Sequence, residues 1–146
     1  TTALDVTVQA QILDLIDDLV DERRMAMLLI SHDLGVIAEN VARMLVMYGG
    51  SVVESGPTES VFGRIAHPYT QGLFAARPRL GAVRGQRLAT IPGSVPELAD
   101  LPAGCPFADR CRLALEACRH EAPPAHAVGP GHDARCLRLD AALEGR

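Results

Sequence analysis

The chain has 146 residues, with 14 Lys and Arg against 18 Asp and Glu for a formal charge of −4, and it is 48% hydrophobic and 22% charged. That length holds one ordinary domain, or a domain with an appendage, and excludes two large ones; the composition can build a core and excludes a wholly disordered tail. The acidic balance gives no general footing on nucleic acid or anionic lipid, and 3% aromatic residues with no Trp supply neither a base-stacking platform nor an interfacial belt. No stretch approaches the roughly 18 consecutive apolar residues of a membrane span, and no basic-then-apolar leader opens the chain. The expected setting is cytosolic, with no direct membrane insertion. The opening Thr1-Thr2-Ala3-Leu4-Asp5, without Met, suggests a piece of a longer polypeptide.

From Val8 to Val20 the apolar residues Val8, Ile12, Leu15, Ile16, Leu19 and Val20 recur at helical spacing, with Asp14, Asp17, Asp18, Asp21 and Glu22 on the other side. This predicts an amphipathic helix. Asp5 or Thr7 can cap its first turn, and Arg23 and Arg24 suit its carbonyl end. Met25 to Ile30 is an unbroken apolar run too short for a helix, which predicts a strand covered on both faces of a parallel sheet. After Ser31-His32-Asp33 a short helical pattern runs through Leu34, Val36, Ile37 and Val41. A second apolar run, Met44 to Tyr48, then completes a strand, helix, strand order with room for a crossover. Gly49-Gly50 predicts a tight antiparallel hairpin into Ser51 to Ser55. Thr58 to Arg64 and Pro68 to Ala76 read as short helices, the second with Pro in its first turn and ended by Arg77-Pro78.

Composition changes near Pro78. Beyond it Gly81, Gly85, Pro92, Gly93, Pro96, Pro102 and Gly104 interrupt any ladder, so extended chain and turns are expected, with one short helix over Asp109 to Cys118. Such a segment buries little apolar surface and needs another fastener. All four cysteines lie there, at Cys105, Cys111, Cys118 and Cys136, separated by five, six and seventeen residues. Two disulfides conflict with a reducing compartment, and four inert buried thiols leave the clustering unexplained. Four thiolates on one metal centre would staple the segment. Zinc normally uses ligand pairs separated by about two to four residues, and neither of the first two gaps has that spacing. An iron-sulfur cluster accepts wider spacing, although the bacterial ferredoxin pattern is also missing. His120, His126 and His132 are candidate substitute ligands, each otherwise an ordinary surface residue.

These residues resemble the ATPase subunits of bacterial ATP-binding-cassette (ABC) importers for oligopeptides and dipeptides. Thr2-Ala3-Leu4-Asp5 resembles the D-loop and Leu29-Ile30-Ser31-His32-Asp33 the H-loop. Met47 to Gly56 resembles the hairpin that follows, and His67-Pro68-Tyr69-Thr70-Gln71-Gly72-Leu73 is typical of the importer branch. The strings Ile91 to Pro96, Leu101 to Phe107 and Arg110-Cys111, then Ala114, Cys118, Pro123, Gly131-His132 and Cys136, resemble that family's C-terminal extension. The resemblance implies an α/β fold: residues 1–78 as the C-terminal part of an ABC-type P-loop ATPase domain, and residues 79–146 as a small irregular Cys-rich extension. It also implies a 4Fe-4S cluster on Cys105, Cys111, Cys118 and Cys136, with zinc as the alternative.

ATP hydrolysis needs an oriented water and neutralised phosphate charge, with magnesium. His32 is the candidate catalytic residue, its imidazole contacting the γ-phosphate and the attacking water; read without the resemblance it is a residue capping the following helix. Asp5, carried over as a nucleotide-site residue at the interface of two cassettes, is otherwise a helix cap. Ser31 and Asp33 read as local hydrogen-bonding residues of a turn. No G-x-x-x-x-G-K-[ST] loop, signature motif or Walker B pair stands in these residues, so the piece is expected to be inactive alone and to expose apolar surface from Val8, Ile12, Leu28 and Ile30. The implied partners are a second ABC ATPase subunit, as homo- or heterodimer, transmembrane permease subunits and an external binding protein, on the cytoplasmic side of the inner membrane. The competing readings are a free-standing iron-sulfur or zinc module, and a regulatory decoy that pairs with intact cassettes.

Overall fold

Helical spacing of apolar residues produces α1, Val6–Arg23, longer at both ends than the predicted stretch. Arg23 sits in its last turn, where a cation meets the partial negative charge of free carbonyls. The helix stops because Arg24 turns into the left-handed region at φ 51°, and the amides of Arg24 and Met25 close back onto the carbonyls of Asp21 and Val20. That is a Schellman closure on a residue other than glycine. The structure, a computed structural model, describes residues 6–77 and 89–145, so Asp5, the D-loop tetrapeptide and the boundary at Pro78 lie outside the described residues. What it describes divides into two compact units, one up to Val41 and one from Ala42 onward.

In the first unit the run Met25 to Ile30 does not form the expected strand. A parallel strand needs neighbours to receive its amides and carbonyls, and no described residue pairs with it. Met25, Leu28 and Ile30 are instead 52%, 82% and 88% exposed. The second helix does form, as α2, Leu34–Asn40. Asp33 caps it by accepting the Gly35 amide at 2.7 Å, and Ser31 Oγ accepts the Asp33 amide at 3.0 Å. Both residues are therefore local turn formers, as their position before the helix predicted.

The second unit is built on one antiparallel sheet, in the order β1-β2-β4-β3, in place of the expected parallel crossover. β1, Arg43–Tyr48, buries Met44, Val46 and Tyr48 and exposes Leu45 and Met47. Gly49 and Gly50, at φ 54° and 77°, turn the chain into β2, Ser51–Pro57, in the predicted hairpin. Between Val46 and Met47 the register slips, so Val46 faces Glu54 and Met47 faces Val52. The extra residue of this bulge lets consecutive side chains, Val53 and Glu54, both point inward. α3, Thr58–Gly63, and α4, Pro68–Ala75, follow as expected, α4 with its proline in the first turn.

The tail is more ordered than its Pro and Gly content suggested. β3, Ala125–Gly129, and β4, His132–Arg135, form a hairpin through Gly131 at φ 64°, and β4 pairs with β2 at Glu54 and Ser55. Residues on either side of the predicted boundary thus share one sheet. The expected helix over Asp109 to Cys118 is broken into a 3₁₀ turn, Ala108–Arg110, and α5, Ala117–His120. Between them the amides of Leu113 and Leu115 point at the sulfurs of Cys111 and Cys118 rather than at helical carbonyls. The chain ends in α6, Leu139–Glu144. The core runs from Val53 and Val61 through Phe107 to Ala134 and Ala142, all 3% exposed or less.

Candidate functional site: four thiols around one cavity

Gly104 approaches the start of the tail's return path so closely that a β-carbon there would lie 2.8 Å from the carbonyl carbon of Arg119 and 2.9 Å from the Glu121 nitrogen. Only glycine permits the two bonds that follow, from the Gly104 amide to the Arg119 carbonyl at 3.0 Å and from the Cys105 amide to the Cys118 carbonyl at 2.8 Å. This pairing brings the first and third cysteines together. Cys111 ends the 3₁₀ turn that follows Cys105, and Cys136 follows β4.

The four sulfur-bearing residues line one cavity of about 20 Å³, walled by His67, Phe107, Leu113 and Leu137. No disulfide joins them. Three of the sulfurs accept backbone amides: Cys111 from Leu113 at 3.4 Å, Cys118 from Leu115 at 3.5 Å, and Cys136 from Arg138 at 3.3 Å. Such amides stabilise charge on sulfur and tune sulfur-ligated metal centres. Without a metal the balance runs the other way. Burial pushes the thiols of Cys105, Cys111 and Cys136 up, Cys136 to about 11, and the neighbouring thiols push in the same direction. Without a metal these three thiols keep their protons at neutral pH, and a metal would have to displace them. Among the described residues no group of three or more His, Cys, Asp or Glu stands together as a ready site for a single metal ion. The sulfurs share a cavity rather than converge on a point.

None of the three candidate substitute ligands lines the cavity. His120 Nε2 lies 2.9 Å from Glu116 Oε1 on the surface, and His126 is exposed in β3. His132 is buried and its Nε2 lies 2.9 Å from Glu54 Oε1. Glu54 also accepts the amides of Ala66 at 2.7 Å and His67 at 2.9 Å. A buried carboxylate with three donors is satisfied where an unpaired one would be costly. Sequence reasoning passed over Glu54 and His67. The available signals were an acidic residue directly after two valines in the hairpin strand and a His immediately before the N1 proline of a helix.

A second link runs through aromatic rings. Tyr48, Tyr69 and Phe107 meet pairwise with centroids 4.7 to 5.3 Å apart. Arg110, next to Cys111, holds the carbonyls of Ile91 and Pro92 and reaches the Tyr48 hydroxyl at 3.3 Å. The cysteine loop is thereby packed against the end of the β1–β2 hairpin. His32 belongs to the first unit, where it is exposed just before α2, and Asp33 rather than His32 provides the helix cap. Among the described residues no helix is long and apolar enough to cross a membrane.

Residues 53–118, from Val53 within β2 to Cys118, match a family described as the oligopeptide/dipeptide transporter C-terminal region. Over 143 residues, 94% of the chain, it is 54% identical to a protein of Brucella ovis named as a peptide import ATP-binding protein. Over 140 residues it is 49% identical to the oligopeptide transport ATP-binding protein OppD of Mycobacterium tuberculosis. The chain is thus similar over nearly its whole length to proteins named for peptide import and ATP binding. It spans 42% of the length of the Brucella relative and 23% of the mycobacterial one.

Proposed function

We propose that the chain is the C-terminal portion of the ATP-binding subunit of an importer that couples ATP hydrolysis to uptake of oligopeptides or dipeptides, or of a related small solute such as nickel. The carrying observation is identity of 54% across 94% of the chain to a protein named for peptide import and ATP binding. Residues 1–78 belong to the cassette and residues 79–146 to the extension in this reading. His32 contacts the γ-phosphate and orients the attacking water, and Asp5 faces the nucleotide across a dimer of cassettes. Its exposed position before a capped helix leaves the His32 imidazole accessible for that contact. The subunit works on the cytoplasmic side of the inner membrane, with a second ATPase subunit and transmembrane permeases. Alone, these 146 residues hydrolyse no ATP, because they contain no phosphate-cradling loop and no Walker B acid.

The four cysteines hold a 4Fe-4S cluster in this reading. The donor set fits: four thiols with no competing carboxylate on one cavity, sulfurs that accept backbone amides, and an otherwise largely apolar wall. When bound, the cluster supplies a covalent fastener for a segment with little apolar surface. The chain's own residues order the sulfurs and exclude water from them.

Two measurements test this reading. Cells whose importer subunit carries His32→Ala should take up a labelled dipeptide at least about 100-fold more slowly than wild type, and unchanged uptake refutes the role of His32. Protein purified without oxygen should contain iron and acid-labile sulfide in equal amounts. Colourless protein with one bound zinc refutes the cluster.

A further inference from the structure

The first and third cysteines are held together by the main chain itself. The Gly104 amide donates to the Arg119 carbonyl at 3.0 Å, and the Cys105 amide donates to the Cys118 carbonyl at 2.8 Å. A bond of that kind between two backbones sets their α-carbons on the order of 5–6 Å apart, inside the span of roughly 4.4–6.8 Å that a disulfide bridges. Both side chains are buried and both line the same cavity of about 20 Å³, so they leave the paired backbones on the same side. Among the described residues no other two cysteines share a backbone hydrogen bond. The backbone bonds of Cys111 stay within its own turn, to Ala108 and Ala114, and the Cys136 sulfur is held by the Arg138 amide two residues on.

We propose that Cys105 and Cys118 are a redox pair that closes to a disulfide when the metal-free protein meets a peroxide. The structure shows the open form, with all four cysteines free. In closing, one thiol reduces hydrogen peroxide to water and becomes a sulfenic acid. The other thiol attacks that sulfur and expels a second water, so two thiols give up two protons and two electrons and one S–S bond forms. The loop so closed holds the twelve residues from Pro106 to Ala117, with the 3₁₀ turn and Cys111 among them. Cys118 gives up its contact with the Leu115 amide, which at 3.5 Å is the longest of the three amide contacts to sulfur. Among the described residues no three ligand side chains stand together, but this chemistry needs only two and asks nothing of a metal. A closed pair leaves Cys111 and Cys136 as the free thiols of the cavity and bars any centre that needs all four.

Peptide mapping tests the pair directly. Trypsin cuts after Arg110, Arg112, Arg119, Arg135 and Arg138, which puts each of the four cysteines in a separate peptide. The importer subunit is stripped of metal with EDTA and ferricyanide, reduced with dithiothreitol, desalted and given equimolar hydrogen peroxide. Free thiols are then blocked with N-ethylmaleimide, and the non-reduced digest is read by mass spectrometry. The peptide joining Cys105 to Cys118 should outnumber every other linkage by about 10-fold, because the fold brings these two within bridging distance. Cys111→Ser and Cys136→Ser should each keep that linkage at wild-type yield. The same oxidation in concentrated guanidinium chloride should instead favour Cys105 to Cys111 and Cys111 to Cys118, which close the shorter loops. A different dominant pair in the folded subunit, the same distribution in folded and denatured protein, or four thiols still fully blocked after peroxide overturns the proposal. The mapping is done on metal-free protein, so iron content, which decides the cluster reading, has no bearing on its outcome.

Discussion

His132 in β4 places Nε2 2.9 Å from Oε1 of Glu54 in β2, and both side chains are shut away from solvent at 2% and 0% exposure. The two residues are 78 positions apart and belong to the two halves that composition separates. A carboxylate accepts only, so His132 must donate through Nε2. With the amides of Ala66 and His67, three donors converge on one buried acid. The bulge in the β1–β2 hairpin is what turns that acid inward.

Glu54→Gln should therefore destabilise the second unit although it preserves shape. Each of the two oxygens already receives a backbone amide, so the new NH₂ must face an N–H donor. The expected loss is about 3 kcal/mol, in the range for breaking a buried charged hydrogen-bond network. His132→Ala should be of similar size. Urea unfolding followed by tyrosine fluorescence reads this unit, since the chain has two Tyr and no Trp, and both Tyr48 and Tyr69 lie in its aromatic cluster. A shift under about 0.5 kcal/mol for both variants contradicts the assignment.

Gly104→Ala tests the closest backbone approach near the thiols. A methyl group there collides with main-chain atoms of Arg119 and Glu121, which cannot step aside as a flexible side chain would. Either the pairing of Cys105 with Cys118 opens or the loop shifts, at a cost of about 1–3 kcal/mol. Iron content after anaerobic purification should fall well below wild type. Gly63→Ala, where nothing lies within 4 Å, is the matched control and should leave iron content unchanged.

How far the sequence revealed this structure depends on where each signal resided. Local signals carried well: the period of α1, the Gly49-Gly50 turn, the proline opening α4 and the Asp33 turn all act within a few residues. The run Met25 to Ile30 misled because apolar continuity specifies burial between neighbouring strands, and none of the described residues supplies such neighbours. The β3–β4 hairpin was hidden because Ala125 to Gly129 is nearly featureless and its pairing is stabilised by β2, far away in sequence. The four thiols were legible as a set from their clustering. Glu54 and His67, which tie that region to the hairpin, were not, because a single polar residue gives no periodic signal and its partners are chosen by the fold.

Acid should weaken the metal-free protein through His67. Burial lowers its pKa from 6.5 to about 4, partly offset by its bond to the Arg135 backbone. The folded state thus binds the proton less readily than the unfolded chain, so stability falls as pH drops below 6.5 and the loss is complete only below about 4. The full effect is on the order of 3 kcal/mol, most of it appearing between pH 6 and the folded-state value. Urea midpoints at pH 7.5 and pH 5 should differ accordingly in wild type, and the difference should shrink in His67→Gln. Equal shrinkage in His132→Gln would locate the titration elsewhere.

The first unit governs solution behaviour. Leu28 and Ile30 are 82% and 88% exposed, and α1 adds Val8, Ile12, Leu15 and Leu19 at 39% to 60%. Scattered exposed apolar residues are ordinary, but here they come in a continuous run and on one helical spacing, a pattern that drives association. The 146-residue chain should therefore elute as oligomers or aggregates in size-exclusion chromatography with light scattering. Leu28→Glu with Ile30→Glu removes two of the most exposed of these side chains without touching the second unit, and should shift the distribution toward monomer while leaving the tyrosine-detected urea midpoint unchanged. A wild-type chain that runs as a monomer and melts in one sharp transition contradicts the prediction, because it would mean that these residues are covered in solution. A charged pair that leaves oligomers intact would instead place the association on other exposed apolar residues, Leu45 and Met47 of β1 among them.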